Sequence, residues 1–593
     1  MAMLPEEYPV VLTVFPALGA RRLSKEGVLT RRITAIETLG ATTVLCSDKT
    51  GTLTENRMTV THLVAGGVAV NERLEVPVGG ALPESVHPLV EAVILASVVD
   101  PFDPMEKAFH QLGQRFLANT EHLHRDWRLV QTYALSPALR AMSHVWSSGS
   151  AGVQTVAAKG APEAVVDLCH LGDRDRGRVE AAVDELAAKG LRVLGVARAR
   201  FEGQTWPADE HGFDFEFVGL LGLADPVRAE VPAALAECRA AGIRVVMITG
   251  DYPATARAIA RQAGLADGDV DLLTGDEIAA LDDDGLRDRL AAVKVCARIS
   301  PDQKLRIVQA LKARGEVVAM TGDGVNDAPA LRAAHVGVAM GHRGTDVARE
   351  SSSLVLVDDN FASIVRAVRV GRRVFDNLRK AMSYILAVHV PIAGMALLPV
   401  LLGWAPLLFP MHIALLELII DPACSVAFEN EPAERDVMHR PPRDAAAPLF
   451  GGATLWLALL QGTGVLVVVL LAYGWVSPRI PESEARAFAF ATLVTGNLAL
   501  ILSNRSGTGS LWVALRTPNA ILWWVIGGAL VLLCAALYLP WAVELLRFAP
   551  LPAHELAAAF GLGLVSVVWF EAIRRIRIRR PASRQAALRS GGD

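Results

Sequence analysis

Five stretches of this 593-residue chain contain no Asp, Glu, Lys or Arg: residues 381–416, 451–478, 487–504, 517–543 and 556–570. A helix that crosses a bilayer needs roughly 20 predominantly apolar residues, and each stretch is that long or nearly so. They predict six spans, at about 381–402, 407–428, 450–474, 485–503, 519–540 and 554–573, behind a polar region of α/β character over 21–378. An even number of spans returns the C-terminus to its starting side. The run Arg574, Arg575, Arg577, Arg579 and Arg580 follows the last span, and basic residues flank the cytoplasmic ends of spans. The expectation is therefore a multi-pass protein of the plasma (cytoplasmic) membrane, held in lipid, with its large polar part and its tail (576–593) in the cytoplasm.

Composition narrows the polar part. With 58 Lys+Arg against 62 Asp+Glu the formal net charge is −4, which argues against nucleic acid as a partner. Six cysteines stand at 46, 169, 238, 296, 424 and 534 without a CxxC pair, so a zinc ribbon is excluded and a disulfide framework disfavoured. The opening segment has no basic n-region and carries two glutamates, unlike a secretory signal.

Three short apolar runs end in polar turns: 43–46 before Ser47-Asp48, 245–248 before Thr249-Gly250-Asp251, and 317–320 before Thr321-Gly322-Asp323. Continuous apolar strands suit a parallel sheet covered on both faces, with helices over 253–263 and 302–313. Ligands in such sheets bind at the carboxyl ends of the strands, where these three turns would meet. Asp48, at a strand end before a Gly/Thr turn, can act as a nucleophile and form an acyl phosphate. That chemistry needs a cation on the phosphate oxygens, and Asp323 and Asp327 supply further carboxylates. Lys304 offers a point charge to the transferring phosphoryl group, and Thr249 with the Gly250 amide offers hydrogen bonds.

In the hydrophobic part, Pro5-Glu6-Glu7-Tyr8-Pro9 holds two prolines that disfavour regular helix, which places Glu6 to face a cation. Glu417 and Asp421 are four residues apart and share a helix face, and ionisable residues within a span are costly and usually functional. His389 lies two residues before Pro391 in the preceding span.

The runs DKTGTLT (48–54), KGAPE (159–163), DPVR (225–228), MITGD (247–251) and TGDGVNDAPAL (321–331) resemble the cytoplasmic signature of the P-type cation-transporting ATPases, whose phosphorylation domain belongs to the haloacid dehalogenase superfamily. The resemblance implies ATP and Mg²⁺ as cofactors. It makes Asp48 the phosphorylated residue, places Mg²⁺ on Asp48, the Thr50 carbonyl and Asp323 with Asp327 assisting, and adds Asp251 and Asn326 to the catalytic set. Related phosphatases carry an acid–base Asp where Thr50 stands, so here the acyl phosphate is expected to persist. The implied architecture is a doubly wound phosphorylation domain (21–61 and 218–378), an inserted α+β nucleotide-binding domain (62–217), a six-span helical bundle (379–575), and a partial helix over 1–20. Glu106, Lys159, Gly160 and Arg192 match the family's ATP-binding positions. Where relatives stack an aromatic residue on adenine, this chain has Leu135 and Pro137 and keeps only Arg140, leaving Tyr133 or Trp146 as substitutes.

His389 aligns with an amide of calcium-pump relatives, while Ile392 and Ile420 are apolar where those pumps carry oxygen ligands. With Glu6, His389, Glu417 and Asp421 as candidate ligands and no Cys-Pro-Cys, the expected cargo is a hard cation, Ca²⁺, Mg²⁺ or Mn²⁺, the imidazole favouring Mn²⁺. No Thr-Gly-Glu loop of the family's actuator domain occurs in the sequence. The expectation is the C-terminal two-thirds of a pump, with the actuator and first three helices missing or supplied by a separate polypeptide. A membrane-tethered phosphatase and an inactive remnant are the alternatives.

Overall fold

The computed structural model describes residues 6–578, apart from 78, 119, 125, 137–138, 149–152, 204, 267, 269, 446–448, 450 and 506–514. Pro5, Pro137 and the side chains of the basic run from Arg574 lie outside the described residues. The chain divides into two units, one of Thr42–Val365 and one formed by 1–41 together with 366–593.

Within the Thr42–Val365 unit, the three apolar runs are adjacent central strands, Val318–Gly322, Val44–Asp48 and Arg244–Ile248. They run parallel, with Ile248 beside Asp48 and Thr321 beside Ser47. Val336–Met340 and Leu354–Leu356 extend the sheet on one side, and Val295–Ala297 and Leu272–Thr274 on the other. Val44, Cys46, Val246, Ile248, Val318 and Met320 are completely buried in one core with helix residues Ile307 and Leu311, which is why these strands read as unbroken apolar runs rather than alternating ones. The helices expected over 253–263 and 302–313 are Pro253–Gln262 and Pro301–Ala313.

A second, seven-stranded sheet is antiparallel and is built from Thr59–Ala65 to Glu216–Ala224. Its two faces are covered by separate apolar cores, one containing Val165, Val183 and Leu186 and the other Leu89, Val93 and Phe109.

The other unit is helical. Among the described residues six helices are long and apolar enough to cross a membrane: Phe361–Leu401, Pro410–Ala427, Thr454–Val476, Glu482–Asn504, Ala520–Tyr538 and Ala553–Phe570. Glu482–Asn504 is buried along nearly its whole length and packs against Gly452–Val476 and Ala553–Ile578. The first of the six differs from expectation in length. It is continuous with a charged segment that starts at Phe361, giving 41 residues of helix, and residues 21–41 and 366–378 cluster with this unit rather than with the strands. Glu7–Lys25 forms a further helix that packs against the π-helical turn Ala423–Ala427.

Candidate active site

Local chemistry positions the reactive groups. Asp48 closes its strand and is 8% exposed. The following turn requires Gly51, whose φ of +73° disfavours any other residue and whose added Cβ would lie 2.6 Å from Asp323 Oδ2. Ser300 caps Pro301–Ala313 in a capping box with Gln303, and this fixes the first turn that carries Lys304. Lys304 Nζ lies 3.0 Å from Asp48 Oδ1 and 2.6 Å from Asp327 Oδ1. Asp48, Asp323 and Asp327 can each place a carboxylate oxygen within 4.8 Å of the others.

Three carboxylates so close repel one another. Burial pushes the Asp48 carboxyl up to about 6, a rise opposed by Lys304 and reinforced by Asp327. Burial and the charges of Asp48 and Asp327 push Asp323 up to about 7. Burial alone would lower Lys304, yet Asp48 and Asp327 reverse that and raise it. An all-oxygen, partly buried cluster with excess negative charge fits a hard divalent cation such as Mg²⁺. Thr50 lies half-buried in the turn directly after Asp48.

Sequence reasoning missed the second ion network. Lys49, 2% exposed, contacts Asp251 at 2.9 Å and Asp225 at 3.5 Å. Asp225 also accepts from Thr54 Oγ1 at 2.6 Å, while Arg228 donates to the carbonyls of Thr54 and Gly51, both at 3.0 Å. The DPVR segment thus clamps the DKTGT turn from 171 residues away. No local pattern marks that distance; a strand end followed by two charges was the available signal.

A cavity of about 900 Å³ opens between the two sheets. Glu106, Arg140, Lys159, Gly160 and Arg192 line it together with Gly250, Asp251 and Asn326. Asp103 caps Pro104–Phe116 by accepting from the Met105 and Glu106 amides at 2.8 and 3.3 Å, which sets Glu106 against Lys159. These two side chains hydrogen-bond, and Lys159 Nζ also donates to Ser97 Oγ at 2.6 Å. Burial draws the Lys159 ammonium below its usual range despite the opposing pull of Glu106. Gly160 allows close strand approach, since a Cβ there would meet the Arg140 carbonyl at 2.5 Å. Thr249, 2% exposed, accepts from the Asp251 amide at 3.1 Å.

The proposed aromatic substitutes are engaged elsewhere. Trp146 is buried with its Nε1 donating to the Leu95 carbonyl at 2.7 Å, and the Tyr133 hydroxyl donates to the Pro207 carbonyl at 2.7 Å. Met105, Leu135 and Met142 supply apolar lining instead. Thr274-Gly275-Asp276-Glu277 is a helix cap, with Thr274 and Glu277 forming a capping box.

Among the membrane-helix candidates, His389 Nδ1 donates to the Ile385 carbonyl at 2.8 Å, leaving Nε2 3.7 Å from Glu7 Oε2. Glu7 is 4% exposed, and neither carboxylate oxygen accepts a hydrogen bond from the described residues. Glu6 is exposed at the helix start, Glu417 half-buried and Asp421 exposed. Glu7 is within electrostatic reach of Asp421 and Glu417, and Glu6 within reach of Asp421. The structure thus brings Glu7, the residue after the expected one, to His389.

A doubly wound sheet with an aspartate at the end of a central strand, in a chain whose described residues include six membrane-length helices, defines a membrane protein with a dehalogenase-like domain. Residues 42–335 match the haloacid dehalogenase-like hydrolase family, and 405–576 match the C-terminal region of cation-transporting ATPases. A calcium-transporting ATPase of Listeria monocytogenes is 34% identical over 97% of this chain and 67% of its own length. The chain belongs to the P-type cation-transporting ATPases. It is also 35% identical to a calcium-transporting ATPase of Bacillus subtilis, over 91% of this chain and 64% of the relative. A probable cation-transporting ATPase F of Mycobacterium tuberculosis is 36% identical over 86% and 60% respectively. The chain therefore spans less than two thirds of the Bacillus and Mycobacterium relatives.

Proposed function

We propose that this chain transfers the γ-phosphoryl group of ATP to Asp48 and couples that transfer to movement of a hard cation across the membrane. The observation that carries the reading is the buried Asp48–Lys304–Asp327 cluster lying in the same unit as a nucleotide-sized cavity whose lining includes Gly250, Asp251 and Asn326. Mg²⁺, held by Asp48, Asp323, Asp327 and the Thr50 carbonyl, would neutralise phosphate oxygens. Glu106, Arg140, Lys159, Gly160 and Arg192 bind and orient the nucleotide. An Asp48 oxygen attacks the γ-phosphorus, the bond to the β-phosphate oxygen breaks, and ADP leaves. Lys304, Thr249 and the Gly250 amide carry the charge that develops on the transferring group. Thr50 cannot act as acid or base at neutral pH, so the acyl phosphate lasts.

Glu7, His389, Glu417 and Asp421, with Glu6 at the rim, form the cation site in this reading. The relatives named as calcium-transporting ATPases support Ca²⁺, and the His389 imidazole admits Mn²⁺. The test is labelling of the purified chain with ATP carrying phosphorus-32 at the γ or the α position. Acid-stable label is expected from γ only; label from both, or from neither, would refute phosphoryl transfer.

A further inference from the structure

We propose that Ser97 is a positioning residue of the nucleotide cavity, which keeps the Lys159 ammonium charged and in place; this rests on the nucleotide reading of that cavity. Ser97 lies two residues past the helix His87–Leu95 and is 1% exposed. Its hydroxyl donates to the Val93 carbonyl at 2.7 Å, the i−4 bond that serine makes to a helix backbone. A hydroxyl has one proton and two lone pairs, so with the proton committed to Val93 only the lone pairs remain. Lys159 Nζ, 2.6 Å from Ser97 Oγ, carries three protons and no lone pair, and therefore donates. The bonds run one way, from Lys159 through Ser97 to Val93, and each polarises the next.

Lys159 depends on such an acceptor. Its side chain, on the strand Gln154–Gly160, is almost wholly buried, and burial favours the neutral amine over the ammonium. Glu106 takes one N–H and Ser97 a second, while the centre of the Phe109 ring lies 5.3 Å from Nζ. One N–H is left for an acceptor of a nucleotide in the cavity that Lys159 and Glu106 line. Ser97 is not among the lining residues, so it acts through Lys159. Two other titratable groups face this ammonium. Asp103, at the start of the Glu106 helix, is within electrostatic reach. His144, on the adjacent strand Ala141–Ser147, has Nδ1 3.2 Å from the Leu95 carbonyl, which can only accept, so Nδ1 holds the proton. Burial keeps that ring below its usual range, so it is neutral above pH 7 and Lys159 is the cation of the cluster.

The test is the affinity of the purified full chain for ADP between pH 7 and pH 10, since ADP binding needs no phosphorylation of Asp48. Affinity should fall as the pH rises and Lys159 loses its proton. Ser97→Ala removes a hydrogen bond made to the charged form, so the midpoint of that fall should move down by about one pH unit. Ser97→Thr keeps the hydroxyl and should leave the midpoint where it was. Ser97→Cys, whose sulfur is a weak acceptor, gives the same downward shift should the Ala variant misfold. A merely structural role for Ser97 would lower affinity equally at every pH. An unmoved midpoint in folded Ser97→Ala or Ser97→Cys would overturn this inference alone, whereas absence of ADP binding by the unmodified chain would overturn the nucleotide reading and this inference with it.

Discussion

Lys49 is enclosed by Asp251 and Asp225, and that enclosure has a pH signature. Burial would push the Asp251 carboxyl up, but Lys49 and Arg192 outweigh it and hold the group below its ordinary value. A carboxyl whose folded value lies below its unfolded value of about 3.9 contributes stability above that value and loses it as the pH falls from there through the folded value. The apparent unfolding temperature of the purified chain should fall more steeply between about pH 5 and pH 3 in the unmodified protein than in Asp251→Asn. Parallel acid limbs would show that Asp251 is not ionised in the folded state. Gly51 makes a second residue-scale prediction. Ala at φ +73°, with its Cβ 2.6 Å from Asp323 Oδ2, must displace either the turn or the carboxylate. Gly51→Ala should therefore lower the initial rate of phosphorylation at least ~10-fold, because misplacement by about 1 Å near a reacting centre costs that much or more. A rate within twofold of normal would contradict the placement of this turn.

At the scale of elements, helix ends in the membrane unit are tied by buried charge. Arg505, the C-cap of Glu482–Asn504, pairs with Glu431 through Nε at 3.0 Å and Nη2 at 3.1 Å, and Asn519 Nδ2 donates to the same carboxylate at 2.9 Å. Removing one partner of a buried pair typically costs about 3–5 kcal/mol, whereas replacing both by apolar groups is often nearly neutral. Arg505→Met should thus destabilise the detergent-solubilised protein strongly, and Arg505→Met/Glu431→Leu should recover most of the loss. Equal denaturation midpoints for the single and double variants would contradict the pairing. The elements also show what could be read from sequence. The three central strands were legible because each is an uninterrupted apolar run, and the six spans because each is a long, mostly apolar run with few charges. The boundary at 379 was not, since the helix that crosses it is amphipathic and charged over Phe361–Lys380 and only then apolar. Glu6 against Glu7 was not legible either: neighbouring residues point about 100° apart on a helix, and two glutamates side by side leave the choice to packing. Tyr133 and Trp146 read as free aromatic surfaces, although each had a backbone carbonyl waiting in a distant loop or helix end.

For the whole molecule, phosphorylation at Asp48 acts, in the proposed function, on a cation site carried by separate helices. Glu7 is the sharpest probe of that site, being buried, lacking a hydrogen bond among the described residues and 3.7 Å from His389 Nε2. Glu7→Gln should shift the dependence of Asp48 phosphorylation on Ca²⁺ or Mn²⁺ at least ~10-fold while leaving ATP affinity within about twofold, since a charged ligand's loss is worth about 1.4 kcal/mol or more. Unchanged activation curves for every ion would remove Glu7 from the site. Asp48 carries the proposed chemistry, and a labelling experiment tests it. The purified chain, given Mg²⁺ and γ-labelled ATP, should acquire acid-stable label that hydroxylamine releases, as an acyl phosphate requires, and Asp48→Asn should abolish that label while still binding ATP. Hydroxylamine-labile label that persists in Asp48→Asn would contradict the account.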